Sequence, residues 1–188
     1  EIYSLPSLVK EFSLEKVQKG GAIFNVKRLD FLNGFYIRQR SSEKLTELCL
    51  PYLEETDLEK IKKIVAIYQE RLKKLSEITE LTSFFFKDIE YDRGLLKWKE
   101  MPDKEIKQSL EKLEKILAKI KPENWHKENL ENVLMPEAER TGDRGKLLWP
   151  LRVALTGQQA SAGPFDIASI LGKEKTLERL KKAKELLD

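Results

Sequence analysis

The stretch TDLEKIKKIVAIYQERLKKL, residues 56–75, decides how the chain is read. Leu58, Ile61, Val65, Tyr68, Leu72 and Leu75 recur in steps of three and four. At 3.6 residues per turn those steps put all six on one stripe of an α-helix, whereas a half-buried strand would alternate in steps of two. Thr56 and Glu59 have the capping-box spacing that ties down two free backbone donors, so the helix is predicted to start at Thr56. Lys62, Lys63, Arg71 and Lys74 fall off the stripe and form its solvated face.

The same period extends in both directions. Upstream, FNVKRLDFLNGFYIRQR (24–40) places Val26, Leu29, Phe31, Leu32 and Tyr36 near helical spacing behind Asn25, a good N-cap. Its Asn33-Gly34 pair is a turn signal, so a break is expected there. A short apolar helix follows over 43–53. Downstream, Ile78, Leu81, Phe84, Phe85 and Phe86 continue the core. Ile106, Leu110, Leu113, Leu117 and Ile120 make a second stripe that stops at Lys121-Pro122, where the hydrogen-bond ladder cannot continue. The last third reads as shorter helices near 125–139, 151–155, 165–171 and 176–187. Gly142, Gly157 and Gly172 stand at C-cap positions, and Pro150 and Pro164 read as first-turn prolines. With no strand run and no repeat, the fold class is all-α.

Composition narrows what such a chain can be. Its 188 residues suffice for one sizeable domain or two small ones, and 36% charged against 40% apolar residues suits long solvated helices. Thirty-five basic residues nearly balance 32 acidic ones, leaving a formal charge of +3, so any nucleic-acid surface must come from local clustering. No apolar run is long enough for a membrane span, and the opening EIYSLPSLVKEF lacks the layout of a signal peptide, so the expectation is a cytosolic chain. Cys49, the single cysteine, sits among Leu48, Leu50 and Leu53 and reads as a small buried thiol. One histidine, His126, excludes a zinc site built from several His and Cys ligands. Gly20-Gly21 is followed by no phosphate-binding pattern, and the carboxylates are interleaved with Lys at helical spacing as on an exposed face. No catalytic residue, metal site or cofactor site stands out.

Arg152 does. In GKLLWPLRVALTG (145–157) it interrupts an otherwise apolar helix, and a half-buried arginine needs a partner. A salt bridge to an Asp or Glu is one solution. The other is a guanidinium held by its apolar neighbours and aimed at a base edge or phosphate, with the small polar loop QQASAGPFD (158–166) letting a flat base come close.

Three stretches carry a resemblance: FSLEKVQKGGAIFNVKRLDFLNGFYIR near the start, then PLRVALTG and ILGKEKTLERLKKA near the end. In this order and at these intervals they resemble bacterial glutamyl-tRNA synthetases, over about residues 12–187. That family carries a Rossmann-type catalytic domain with HIGH-like and KMSKS-like motifs, neither of which occurs here. The resemblance therefore implies a downstream, tRNA-reading portion without a catalytic site, inactive alone and with no cofactor of its own. Its parent would join glutamate to tRNA(Glu) using ATP and Mg²⁺, with glutamate and ATP met only through the catalytic domain.

The resemblance further implies three parts: a stem-contact region over 1–53 and two helical anticodon-binding subdomains over 54–120 and 121–188. Arg28 and Phe31 match positions that touch the inside of the L-shaped tRNA. Phe31 stands where tryptophan is usual, keeping the flat surface and losing an N–H donor; as an alternative it is plain core. Arg71 falls where some family members carry the arginine that reads the third anticodon base and excludes tRNA for glutamine. Arg152 falls on a second anticodon arginine, and Ser161, Ala162, Gly163 and Pro164 on an anticodon-contacting loop that departs from relatives carrying threonine and proline earlier in it. Monomer is the default state, with no membrane partner. Two other readings remain open from the sequence, a helical protein-interaction module and a free-standing RNA-binding protein, as does whether the parent also charges tRNA(Gln).

Overall fold

A computed structural model describes residues 2–17, 20–21 and 23–187. Gln18, Lys19 and Ala22, within the first of the three resembling stretches, lie outside the described residues. The described residues are helical throughout, with no strand: α1 (Leu5–Glu11), α2 (Val26–Arg38), α3 (Ser42–Cys49), α4 (Leu58–Tyr68), α5 (Glu77–Thr82), α6 (Asp103–Ala118), α7 (Lys127–Glu139), α8 (Gly145–Thr156), α9 (Pro164–Leu171) and α10 (Lys173–Glu185). The all-α class is as the sequence indicates.

The second stripe behaves as its spacing dictates. Ile106, Leu110, Leu113 and Leu117 are buried along α6, which packs against α8 and α10. One cluster of buried side chains runs from Ile37 on α2 to Ala183 on α10. Within it Cys49 is fully enclosed, and burial pushes its thiol up to about 11.

The first stripe holds as a core but not as one helix. α4 begins one residue later than the capping-box spacing implies, because the Asp57 side chain accepts from Lys60 N at 3.1 Å while Glu55 accepts from the Thr56 and Asp57 amides. The Lys60 ammonium, and next those amides, hold the Glu55 carboxyl down at about 2. Ile61, Val65, Tyr68 and Leu72 are all buried, together with Ile64, whereas Leu58 is 58% exposed. After Tyr68 the helix tightens into a 3-10 turn, Gln69–Arg71, and Leu72 is extended. Two side chains bring this about. Gln69 Nε2 donates to the carbonyls of Ile37, Arg38 and Arg40 at the end of α2. Glu77 Oε2 accepts from the amides of Lys73 and Lys74, bonds that replace those of a continuing helix.

α2 is capped by Asn25 as expected, yet it runs unbroken through Asn33-Gly34. The glycine serves a close approach instead of a turn: a Cβ on Gly34 would lie 3.3 Å from the Leu72 carbonyl oxygen. The expected apolar stripe of α2 is largely on the outside, and the buried residues are Gly34 and Ile37. Pro164 does open α9, but Pro150 lies inside α8, which starts at Gly145 and is longer than the 151–155 segment. Gly157 ends α8 at φ 65°, the left-handed C-cap its position implies.

One buried residue was not visible in the pattern. Arg179 on α10 is 3% exposed and donates to the carbonyls of Leu155, Phe84 and Lys87, joining α10 to the end of α8 and to the turn after α5. Arg179→Met keeps an apolar stem and removes every donor. It is expected to lower the unfolding free energy by about 3 kcal/mol, since buried carbonyls lose their partners. Urea denaturation at unchanged m-value measures this, and a change under about 0.5 kcal/mol would mean that water replaces the guanidinium.

Candidate nucleic-acid interface

Arg71 stands at the end of the 3-10 turn that closes α4, exposed and outside any ion pair among the described residues. Its place follows from the break in the stripe, because the turn swings it away from the face that buries Tyr68 and Leu72.

Arg152 projects half-buried from α8. It is in no salt bridge among the described residues, so the carboxylate partner that composition favours is not what holds it. One terminal nitrogen donates to Ser161 O at 2.9 Å, Ser161 Oγ at 2.9 Å and Ala162 O at 3.2 Å. Ser161 Oγ also donates to Ala162 O at 3.0 Å. The arginine thus shapes the 158–163 loop with uncharged acceptors, which leave its positive charge uncompensated.

Burial, and next the like charge of Arg71, push the Arg152 guanidinium below its ordinary value. Burial also raises the Tyr68 phenol, against the opposing pull of the Ala162 amide, Arg71 and Arg152. Ala162 N donates to that hydroxyl at 3.5 Å. Arg71, Tyr68, Arg152 and the loop accordingly form one cluster, although α4 and α8 are far apart in the sequence.

The remaining sequence-predicted residues divide between buried and exposed. Ser161, Ala162 and Pro164 are buried and Gly163 half-buried, so these residues build the loop from inside. Its exposed tip is Gln159 and Ala160. Gln159 offers an amide able both to donate and to accept, and only its place in a small polar loop marked it. Arg28 and Phe31 lie on α2, exposed and apart in the chain from this cluster; Phe31 is 60% exposed, so it is not core. Among the described residues, no group of three or more His, Cys, Asp and Glu could hold a metal ion, and no helix is long and apolar enough to cross a membrane.

Two guanidiniums close enough to act on each other, Arg152 held by the loop and Arg71 exposed, are in no salt bridge among the described residues and put uncompensated positive charge on an all-helical frame. The family model for the anticodon binding domain matches residues 44–184. The chain is 40% identical over 187 residues to a glutamate–tRNA ligase of Clostridium botulinum strain Hall, covering 96% of this chain and 38% of that protein. It is 35% identical to glutamate–tRNA ligase 2 of Thermoanaerobacter pseudethanolicus, over 97% of this chain and 40% of the relative. Among solved structures, a glutamate tRNA ligase from Elizabethkingia meningosepticum superposes with a TM-score of 0.81 at 27% identity, over all of this chain and 38% of that one. The chain belongs to the anticodon-binding domain family. It spans about two fifths of the length of the ligases it matches, and the resemblance to glutamyl-tRNA synthetases read from its motifs is borne out.

Replacing Arg152 separates its two duties. Arg152→Met is expected to cost about 1–3 kcal/mol of stability, because the carbonyls of Ser161 and Ala162 lose their donor, and to speed amide hydrogen exchange in the 158–163 loop. Arg71→Met, at an exposed and unpaired position, should stay within about 0.5 kcal/mol of the parent. Equal stability of the two variants would show that Arg152 does not organise the loop.

Proposed function

We propose that this chain is the tRNA-reading portion of a cytosolic, monomeric glutamate–tRNA ligase and that its Arg71–Arg152 cluster reads the anticodon of tRNA(Glu). The observation that carries the reading is the pair of adjacent guanidiniums lacking any carboxylate partner, in a family defined by anticodon binding. A planar donor fork on an exposed stem suits a base edge, and a loop with an exposed amide at its tip suits a base splayed out of a single strand. In this reading Arg71 discriminates the third anticodon base. Arg152 holds the loop through one terminal nitrogen and offers the rest of its fork to RNA. Ser161, Ala162, Gly163 and Pro164 contribute the shape of the loop.

Arg28 and the exposed ring of Phe31 touch the tRNA stem from the 1–53 region, while 54–120 and 121–188 make the anticodon end. The last two parts share the packing of α6 on α8 and α10, so the division is one of RNA contacts laid over a common core. Activation of glutamate with ATP and Mg²⁺ belongs to the part of the relatives' length that this chain does not span.

Binding of this chain to tRNA(Glu) transcripts differing only at the third anticodon base tests the reading. Arg71→Gln is expected to change the ratio of affinities by roughly five- to 150-fold, the value of about 1–3 kcal/mol for a lost bidentate base contact. Uniform weakening of all transcripts would make Arg71 a phosphate contact instead. With about four phosphate contacts, log affinity should fall against log salt with a slope near −3, and a flat titration would remove RNA from the account.

A further inference from the structure

A cleft of about 350 Å³ opens where the end of α2 meets the turn after Arg71. Its wall includes Tyr36 and Tyr52, exposed by 43% and 40%, with Asn33, Arg40, Lys73 and Ser76. That volume lies at the lower end of the range of small-ligand sites. Lys74 also lines the cleft but pairs with Asp30 at 3.4 Å. Arg40 and Lys73 are in no ion pair among the described residues, and Glu77 is engaged with the Lys73 and Lys74 amides. Half-exposed aromatic rings, unpaired cations and two small polar groups therefore share one concavity.

The cleft is tied to the candidate interface by covalent and hydrogen-bonded structure. Lys73 follows Arg71 by two residues, which limits their Cα separation to about 7 Å. Gln69, two residues before Arg71, holds the carbonyls of Ile37, Arg38 and Arg40. The basic side chains Arg71, Lys73 and Arg40 thus follow one another across a fixed junction.

Resting on the anticodon-binding reading, we infer that this cleft takes one unstacked nucleotide of the bound tRNA, its base against the tyrosine faces and its phosphate on Arg40 and Lys73. An aromatic face accepts any base, and the cations accept the backbone, so the subsite adds affinity without sequence preference. It is a second station for the strand, distinct in role from the base-reading Arg71.

Titration of this chain with a tRNA(Glu) transcript at several salt concentrations tests the inference. Tyr52→Ala is expected to weaken binding by about five- to 150-fold with the salt slope unchanged, and Tyr52→Phe, which keeps the ring, to bind as the parent does. The double variant Arg40→Gln/Lys73→Gln should lower the magnitude of the slope by about 1.4, two phosphates at roughly 0.7 each. Both sites are on the surface, and circular dichroism verifies that the variants fold. If the parent chain binds and Arg71→Gln changes discrimination while the cleft variants bind normally, the subsite is wrong and the anticodon reading stands. If the parent chain does not bind the transcript, both fall.

Discussion

Three carbonyl oxygens from two segments converge on one buried guanidinium, Arg179, and much of the arrangement hangs from that point. A backbone carbonyl at the end of a helix has no partner within the helix and must find one. Leu155, in the last turn of α8, finds it on α10, as do Phe84 and Lys87 after α5. α8 is thereby fixed at the end that carries Arg152. Arg152, one turn earlier on the same helix, repeats the device, donating to the carbonyls of Ser161 and Ala162. Neither arginine is in a salt bridge among the described residues. At Arg179 the charge is interior, and burial pushes the group below its ordinary value. At Arg152 it remains partly open to solvent, where it can meet an anion.

What the sequence disclosed follows from which forces are local. Helical spacing over 103–118 is a property of consecutive residues, and α6 buries the stripe it implies. Residues 56–75 show the limit of the same reasoning. Leu72 and Leu75 keep the period, and Leu72 is fully buried, but Gln69 and Glu77 redirect the backbone through bonds to groups that periodicity cannot see. Gly34 misled for a related reason. Its local signal is a turn, and the demand it meets is the nearness of Leu72, 38 residues away. Pro150 inside α8 and the exposed stripe of α2 likewise depend on what packs, or does not pack, around them.

The candidate site was legible in its charges and obscure in its partners. An arginine inside PLRVALTG is conspicuous because its neighbours are apolar, yet composition pointed to a carboxylate where the loop supplies neutral oxygens. The loop itself was legible as small and polar, but not which of its residues face outward. Ser161 and Ala162 are buried because Arg152 and Tyr68 pull them in, leaving Gln159 and Ala160 at the tip. Arg179 has no signature in the sequence, since in LERLKKAKE it is one more cation on a Lys- and Glu-rich helix. Only the third dimension separates it from its neighbours.

The enclosed Cys49 has a further use. It is the one cysteine in the chain, shut in on α3 beside α4, with a thiol held near 11 by burial. A thiolate is the reactive form, and at neutral pH the native chain presents almost none of it. Alkylation by a reagent in solution consequently requires α3 to lift away and expose the sulfur, and where reclosing is fast its rate follows the population of that open state. The protein carries its own gauge of local opening, placed at the seam between α3 and the helix whose closing turn bears Arg71.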